Sequence, residues 1–278
     1  MCRSRKTTKS LYQRDAPALR YHTRVLKQTF RATPKPLLLA SAGFFCAAFV
    51  AAGFSDFPGA EVGSYVSTFL IALPPGIALF RYLGARQALL ALVSLSLFAY
   101  AIETIGVTTG VPYGEFRYGE ALGPKVFGVV PYLLPISYVP LVIGAVGVAA
   151  TAAGGFVARV CVATALLLLT DGVLDPGAVA LGFWDYPGGG IYYGVPASNY
   201  FGWLISGVIA AALLLVVGRG WRSLPPPGVL DGLVISAAFW SGVAGLFGLV
   251  VPALLGVVLF VYLLRCRTLL AGSRSGID

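Results

Sequence analysis

Residues 198–218 read SNYFGWLISGVIAAALLLVVG, an apolar run without a charged side chain. The hydrocarbon core of a bilayer is about 30 Å thick, and an α-helix needs about 20 predominantly apolar residues to cross it. The run therefore predicts a membrane-spanning helix. Comparable stretches occur at 37–55, 63–83, 87–107, 127–150, 156–175 and 229–266.

The stretch 229–266 is too long for one crossing. Gly245, Gly248 and Pro252 are residues that interrupt a helix, and they predict a tight break between two spans. We therefore expect an all-α polytopic membrane protein with eight transmembrane helices, although seven remain possible.

The composition leaves no room for a separate soluble domain. Of 278 residues, 58% are hydrophobic and 11% are charged, against about 25% charged in ordinary soluble domains. The predicted organisation is a basic, disordered cytoplasmic tail (1–36), a membrane helical domain (37–267) and a short cytoplasmic tail (268–278).

The basic residues favour eight helices and one orientation. With the N-terminus in the cytoplasm, 18 of the 20 Lys and Arg residues fall on the cytoplasmic side of a cell membrane, as the positive-inside rule expects. Seven helices would place Arg265, Arg267 and Arg274 outside. Both termini are then cytoplasmic. The net charge of +9 comes mostly from the tail and inner loops, which predicts attraction to anionic membrane lipid and no binding of nucleic acid.

Several kinds of site are excluded by residue type. His22 is the only histidine and lies in the tail, and the five lysines lie outside the spans. The cysteines are isolated from one another, with no ligand-like spacing. We therefore expect no metal, no cofactor, no histidine-based triad and no Schiff base within the membrane. The four cysteines are Cys2, Cys46, Cys161 and Cys266.

Three carboxylic acids lie within or at the end of otherwise apolar helices: Glu103, Asp171 and Asp175. An ionisable group in the membrane is costly and marks a functional site by default. The structural alternative is an interfacial carboxylate capped by a loop amide or arginine. Helices 3 and 5 run in the same direction, and both contain their acids near the outer end.

The spacing of these acids predicts one cluster. Asp171 and Asp175 are four residues apart and share a helix face. Glu103 precedes a helix break predicted at Gly106–Gly110, and Pro176 with Gly177 is expected to end helix 5. All three acids can then reach one layer just below the outer surface.

Two loops rich in aromatic residues and glycine follow the acids, at 108–119 and 176–196. Tyr and Trp form belts at any membrane interface, which is the simpler interpretation. A belt does not need the seven glycines between Gly172 and Gly194, and these predict a folded lid over a pocket. The lead-ins to the next helices, 128–131 (GVVP) and 194–196 (GVP), suggest two versions of one plan.

These motifs resemble the membrane-bound carotenoid hydratases of carotenoid biosynthesis, which include γ-carotene or lycopene 1,2-hydratases and bisanhydrobacterioruberin hydratases. The resemblance covers about residues 60–265. One signature lies at 103–106 (ETIG) and 109–114 (TGVPYG). The other lies at 171–176 (DGVLDP), 182–184 (GFW), 192–196 (YYGVP) and 199–203 (NYFGW).

The resemblance implies addition of water across a terminal C=C bond of an acyclic carotenoid, without a cofactor. The chemistry requires an acid that protonates the alkene and water that captures the tertiary cation. We expect Asp175 to be that acid, Glu103 to be the second choice, and Asp171 to orient the acid or accept a proton. Aromatic faces attract cations, so Trp184, Tyr193 and Trp203 are expected to face the cation. Asn199, Tyr113 and Tyr192 complete the predicted substrate-binding set.

Three other functions remain open on the sequence. A proton-coupled transporter or channel would have polar residues along the depth of several helices, and helices 1, 6 and 8 are nearly bare. A prenyltransferase would use paired Asp-rich motifs for Mg²⁺–diphosphate. A non-catalytic carotenoid- or lipid-binding protein would have the same lid and pocket. The expected partners are a carotenoid in the bilayer, membrane lipid and other carotenoid-biosynthesis enzymes.

Overall fold

The computed structural model describes residues 23–53, 60–219 and 221–275. Eight helices in this part of the chain are long and apolar enough to cross a membrane, which confirms the predicted fold class and number of spans. In chain order they are α1 (Lys35–Gly53), α2 (Ala60–Leu83), α3 (Ala85–Thr109), α4 (Leu134–Ala152), α5 (Phe156–Ala180), α6 (Ala197–Val217), α7 (Asp231–Leu246) and α8 (Val250–Ser275).

The break in the longest apolar stretch falls at its glycines. Helix α7 ends at Leu246, α8 begins at Val250, and Gly248 between them has a φ of 68°. Glycine adopts this left-handed conformation without the steric cost that a Cβ atom would impose. The tight turn makes α7 and α8 neighbours that pack along each other.

Helices α4, α5 and α7 form the core of the bundle. Within the most apolar window of each helix, 72% of the residues of α4 and α7 are buried, against 17% in α1 and α2. Close approach in the core depends on small residues: a Cβ atom on Gly144 of α4 would lie 2.6 Å from Leu233 Cβ of α7. Small residues allow such contact between membrane helices. The outer helices present apolar side chains to lipid.

Two short antiparallel ladders organise the loops at the end of the bundle that contains the acids. Strand β1 (Arg117–Tyr118) pairs with β4 (Trp184–Asp185), and β2 (Lys125–Val126) pairs with β3 (Val130–Pro131). The first ladder joins the loop after α3 to the loop after α5. The two loops therefore form one folded cover, as the glycine content predicts.

The lead-ins to α4 and α6 have the same turn. Phe127 and Gly128 have φ values of 50° and 73°, and Tyr193 and Gly194 have values of 51° and 86°. Positive φ at both central positions is the property of a type I′ turn. Each turn is closed by a backbone hydrogen bond, and each is followed closely by a proline. This similarity agrees with two versions of one plan.

Some predicted boundaries are wrong. Residues 127–133 precede α4, because the hairpin of β2 and β3 occupies the start of the predicted span 127–150. Helix α3 continues through Gly106 to Thr109. Gly110 caps its C-terminus in the left-handed conformation, with a φ of 74°.

Helix α5 also differs from its prediction, because it continues past Pro176 to Ala180. Proline lacks the N–H that would bond to the carbonyl four residues earlier, which here belongs to Gly172. The phenol of Tyr192 donates a 3.1 Å hydrogen bond to that carbonyl. The loop therefore satisfies the acceptor that Pro176 leaves free.

The two predicted tails also contain helix. Residues 23–32 are helical, and the Thr33 hydroxyl at the end of this segment bonds to the Thr29 carbonyl at 2.8 Å. The prediction of a wholly disordered tail at 1–36 is therefore wrong for this part. The predicted tail at 268–278 overlaps α8, which continues to Ser275. Residues 1–22 and 276–278 lie outside the described chain.

Candidate active site

Helices α3 and α5 bring the three membrane acids together at one end of the bundle. Asp171 and Asp175 lie on one face of α5, are 0% and 2% exposed, and accept hydrogen bonds from the same amide nitrogen. Glu103 approaches from α3 and is half-buried. The prediction that the acids share one layer agrees with this geometry.

Asn199 connects the two aspartates. Its Nδ2 atom donates hydrogen bonds to Asp171 Oδ2 at 3.1 Å and to Asp175 Oδ2. Among the described residues, no donor reaches Asp171 Oδ1, which is buried. Two carboxyl groups in contact tend to share one proton. The amide from α6 therefore holds the two carboxyl groups beside each other.

Two phenols from the loops complete the cluster. Tyr118 donates to Glu103 Oε2 at 2.6 Å, and Tyr186 donates to Asp175 Oδ2 at 3.1 Å. Burial, and then the nearby carboxyl groups, raise the pKa of both phenols well above the usual value. Both phenols thus remain protonated and act as donors to the carboxyl groups.

The loop that contains Tyr118 is fixed by close packing of an aromatic ring on glycine. The buried ring of Tyr113 lies between α3 and α6, where a Cβ atom on Gly106 would be 2.8 Å from Tyr113 Cδ2 and one on Gly202 would overlap the ring. Gly106 and Gly202 belong to the two sequence signatures. The glycines therefore seat Tyr113, and the ladder of β1 and β4 sets Tyr118 beside Trp184.

A cavity of about 790 Å³ adjoins the acids, within the usual range for small-molecule sites. Asp175 and Glu103 line it, whereas Asp171 lies behind Asp175 and is absent from the described lining. Of the predicted substrate-binding residues, four line the cavity: Tyr113, Trp184, Asn199 and Trp203.

The other two predicted substrate-binding residues, Tyr192 and Tyr193, are not among the described residues of the cavity wall. Tyr192 bonds to Gly172 on α5, and the Tyr193 hydroxyl accepts a 3.3 Å hydrogen bond from the Val251 backbone N–H. The turn at Tyr193 and Gly194 directs both rings toward α5 and α8.

Tyr118 and Tyr186 were not among the site residues expected from the sequence. Both lie in the aromatic loops, so their residue type was visible. Their partners depend on pairing between loops that are far apart in sequence, and no local pattern reports that pairing. The Asn199 amide bonds to both aspartates, and the residue also lines the cavity.

Fold and site together define a polytopic membrane protein with a carboxyl cluster beside an apolar, aromatic cavity. Residues 62–263 match the family described as carotenoid biosynthesis protein, and the chain belongs to this family. The resemblance noted from the sequence is thereby confirmed.

The chain is also similar to a bisanhydrobacterioruberin hydratase from Haloarcula japonica. The two are 43% identical over 184 residues, which cover 63% of this chain and 62% of the relative. The match thus spans about three-fifths of the relative's length. No solved structure matches the chain.

Proposed function

We propose that this protein is a carotenoid hydratase, a hydro-lyase that adds water across a terminal C=C bond of an acyclic carotenoid. The observation that supports this most is the Asp171–Asp175 pair, which Asn199 bridges at the wall of an apolar cavity. Family membership and the name of the relative point to the same chemistry. Conversion of bisanhydrobacterioruberin to bacterioruberin is the form that the relative's name suggests. Hydration of γ-carotene or lycopene is the other form.

Asp175 is the proposed general acid because it faces the cavity and contacts a second carboxyl group. Its O–H proton is transferred to the less substituted alkene carbon, where the π electrons form the new C–H bond. The tertiary cation that remains is captured by a lone pair of water, which forms the C–O bond. The oxonium then loses a proton to a carboxylate. A proton then passes from that carboxyl group back to Asp175, which restores the general acid, and the sum of the steps is the addition of one water molecule.

The other residues have supporting roles. Asp171 orients Asp175. Its Oδ1 atom, which accepts no hydrogen bond from the described residues, is available to accept a proton. Glu103, held by Tyr118, is the proposed acceptor of the proton from water. Trp184 and Trp203 line the cavity and offer aromatic faces to the cation. This scheme needs no metal, nucleotide or oxygen.

The wall of the cavity disfavours a prenyltransferase. Glu103 and Asp175 line it, and no Lys or Arg is present among its described residues. A diphosphate would meet carboxylates and no basic partner, whereas a hydrocarbon end group meets apolar and aromatic surface. A carotenoid-binding protein without catalysis remains the second candidate, because the same wall suits an unreacted carotenoid.

We also propose that the site lies at the outer face of the cell membrane, with both termini in the cytoplasm. The distribution of Lys and Arg supports this orientation. Other enzymes of carotenoid biosynthesis are proposed partners, since the substrate reaches the protein through the shared bilayer.

The direct test is to express the chain in cells that accumulate an acyclic carotenoid and to analyse the pigments by mass spectrometry. We expect pigments that have gained the mass of one water per reacted end. Unchanged pigment that copurifies with the protein would favour the binding protein.

A further inference from the structure

The gap between α1 and α2 is an unassigned feature of the membrane-facing surface. Helix α1 packs against α7, and α2 packs against α3, α4 and α7. Over the described residues, however, the backbones of α1 and α2 barely approach each other. Residues Ser236, Phe239 and Trp240 of α7 line the same cavity as both helices. Helix α7 therefore forms the floor of a cleft between α1 and α2.

The sides of this cleft belong to the cavity that contains the acids. On α1 the lining residues Phe44, Ala47 and Ala51 recur at helical spacing, and on α2 Ser64, Ser67 and Ile71 do the same. Residues at this spacing share one helix face. One face of each helix thus borders a single space that continues inward to Glu103 and Asp175.

The outer part of the cleft is open. Val50 and Gly63 line the cavity and are exposed, and a Cβ atom on Gly63 would meet no atom within 4 Å. Most other lining residues of α1 and α2 have small side chains or are half-buried. Tyr118, Trp184 and Tyr186 of the loop cover border the cavity at the end of the bundle, and the cleft gives it a lateral path to the hydrocarbon region.

The chemistry of the wall identifies the occupant. A phospholipid head group would meet Glu103 and Asp175 without a basic partner among the described lining residues. An uncharged polyene meets aromatic and aliphatic surface along the whole cleft. A conjugated polyene is extended, so a substrate with one end at the acids must leave the cavity through an opening.

We propose that the cleft between α1 and α2 is a lateral binding site for the polyene chain, which admits one carotenoid end from the bilayer to the acids. This inference rests on the proposed hydration for the identity of the substrate. Binding in the cleft does not itself require catalysis, so the two proposals are separable by experiment.

Protection from alkylation tests binding alone. Ser67→Cys faces the cleft, and Val66→Cys, its neighbour, lies in a separate groove between α2, α3 and α4. Each variant is placed in phosphatidylcholine vesicles with or without lycopene and treated with a membrane-permeant maleimide. Peptide mapping follows each site separately from the native cysteines. We expect lycopene to slow alkylation roughly fivefold or more at 67 and not at 66, since bound ligand competes directly with the reagent.

Equal rates at 67 with and without lycopene would overturn the proposal, and so would protection at 66 alone. The first result would mean that only lipid occupies the cleft. The second would place the polyene in the groove on the other side of α2. Protection at 67 in a protein that never hydrates carotenoid would support the cleft and overturn the proposed hydratase.

Obstruction tests the path in the working enzyme. Ala47→Trp places a bulky ring in the cleft, while Cys46→Trp places it on the neighbouring exposed position, outside the described cavity wall. We expect carotenoid conversion to fall roughly tenfold or more in the first variant and to stay near the wild-type rate in the second. Normal conversion by a correctly inserted Ala47→Trp variant would overturn the proposal.

Discussion

At the scale of single residues, the site depends on three carboxyl groups that meet different environments. Asp171 is buried and absent from the described cavity wall, Asp175 borders the cavity from α5, and Glu103 borders it from α3 and accepts a hydrogen bond from Tyr118. Asn199 donates hydrogen bonds to both aspartates, and no such contact joins it to Glu103 among the described residues. Position therefore distinguishes chemically identical groups.

Asp175→Asn keeps the size of the side chain and removes the acidic proton. Because general acid catalysis typically contributes about 10²–10⁴ in rate, we expect the variant to lose conversion by about that factor. The measurement is the rate of product formation in membranes that contain equal amounts of inserted protein. Asp185→Asn is the matched control, since Asp185 is an exposed residue of β4. Equal activity of the two variants would remove Asp175 from the chemistry.

Tyr118→Phe removes one hydrogen bond to Glu103 while the ring remains. A hydrogen bond to a charged group contributes about 1.5–3 kcal/mol, so loss of orientation should slow turnover by roughly tenfold or more. The turnover rate should fall more than the apparent affinity for carotenoid. Tyr193→Phe is the control because its phenol contacts Val251 outside the described cavity wall. A pure affinity change in Tyr118→Phe would count against this role.

At the scale of elements, helix positions were predictable and loop contacts were not. The lengths of the apolar runs are fixed by the thickness of the bilayer, and the spacing of Asp171 and Asp175 fixes their common face. The pairing of Tyr118 with Trp184 joins loops more than sixty residues apart, and no periodicity specifies it. Aromatic composition showed that these loops matter, but it did not show which rings point inward.

Helix α5 illustrates this difference. Proline predicts a helix end, because the local cost of the missing hydrogen bond is visible in sequence. The hydrogen bond from Tyr192 that compensates for it comes from a distant loop and is not visible in the sequence. The continuation of α5 therefore required a tertiary contact that local patterns do not contain.

A double-mutant cycle tests that contact. Tyr192→Phe should lower the free energy of unfolding by about 1 kcal/mol, because the Gly172 carbonyl loses its partner. In a Pro176→Ala background the helix supplies an N–H to this carbonyl, and the cost of Tyr192→Phe should shrink. Thermal unfolding in detergent measures both. An identical cost in the two backgrounds would show that Tyr192 acts elsewhere.

At the scale of the whole molecule, charge and chemistry are separated along the bundle. The acids and the folded loops occupy one end, and the buried ion pair of Arg267 with Asp231 lies at the other. Most of the basic loops lie at that second end. This polarity is the basis of the proposed orientation, in which substrate and water meet near the outer face.

Labelling with an impermeant thiol reagent on intact cells tests the orientation. Glu120→Cys and Gly188→Cys place exposed thiols in the two folded loops, and Ser223→Cys places one at the opposite end. We expect reaction at 120 and 188 and none at 223 until the cells are opened. Reaction at 223 alone would show that the protein has the inverted orientation. Reaction at 120 and 188 on opposite sides of the membrane would contradict the pairing of the two loops.

The most direct test of hydration is the origin of the new atoms. Washed membranes that contain the protein are supplied with an acyclic carotenoid, without oxygen or added reductant, in ¹⁸O-labelled water or in D₂O. We predict that the product hydroxyl contains the ¹⁸O label and that each hydrated end gains one carbon-bound deuterium. Label from ¹⁸O₂, or a strict requirement for oxygen, would contradict protonation by Asp175 and capture by water.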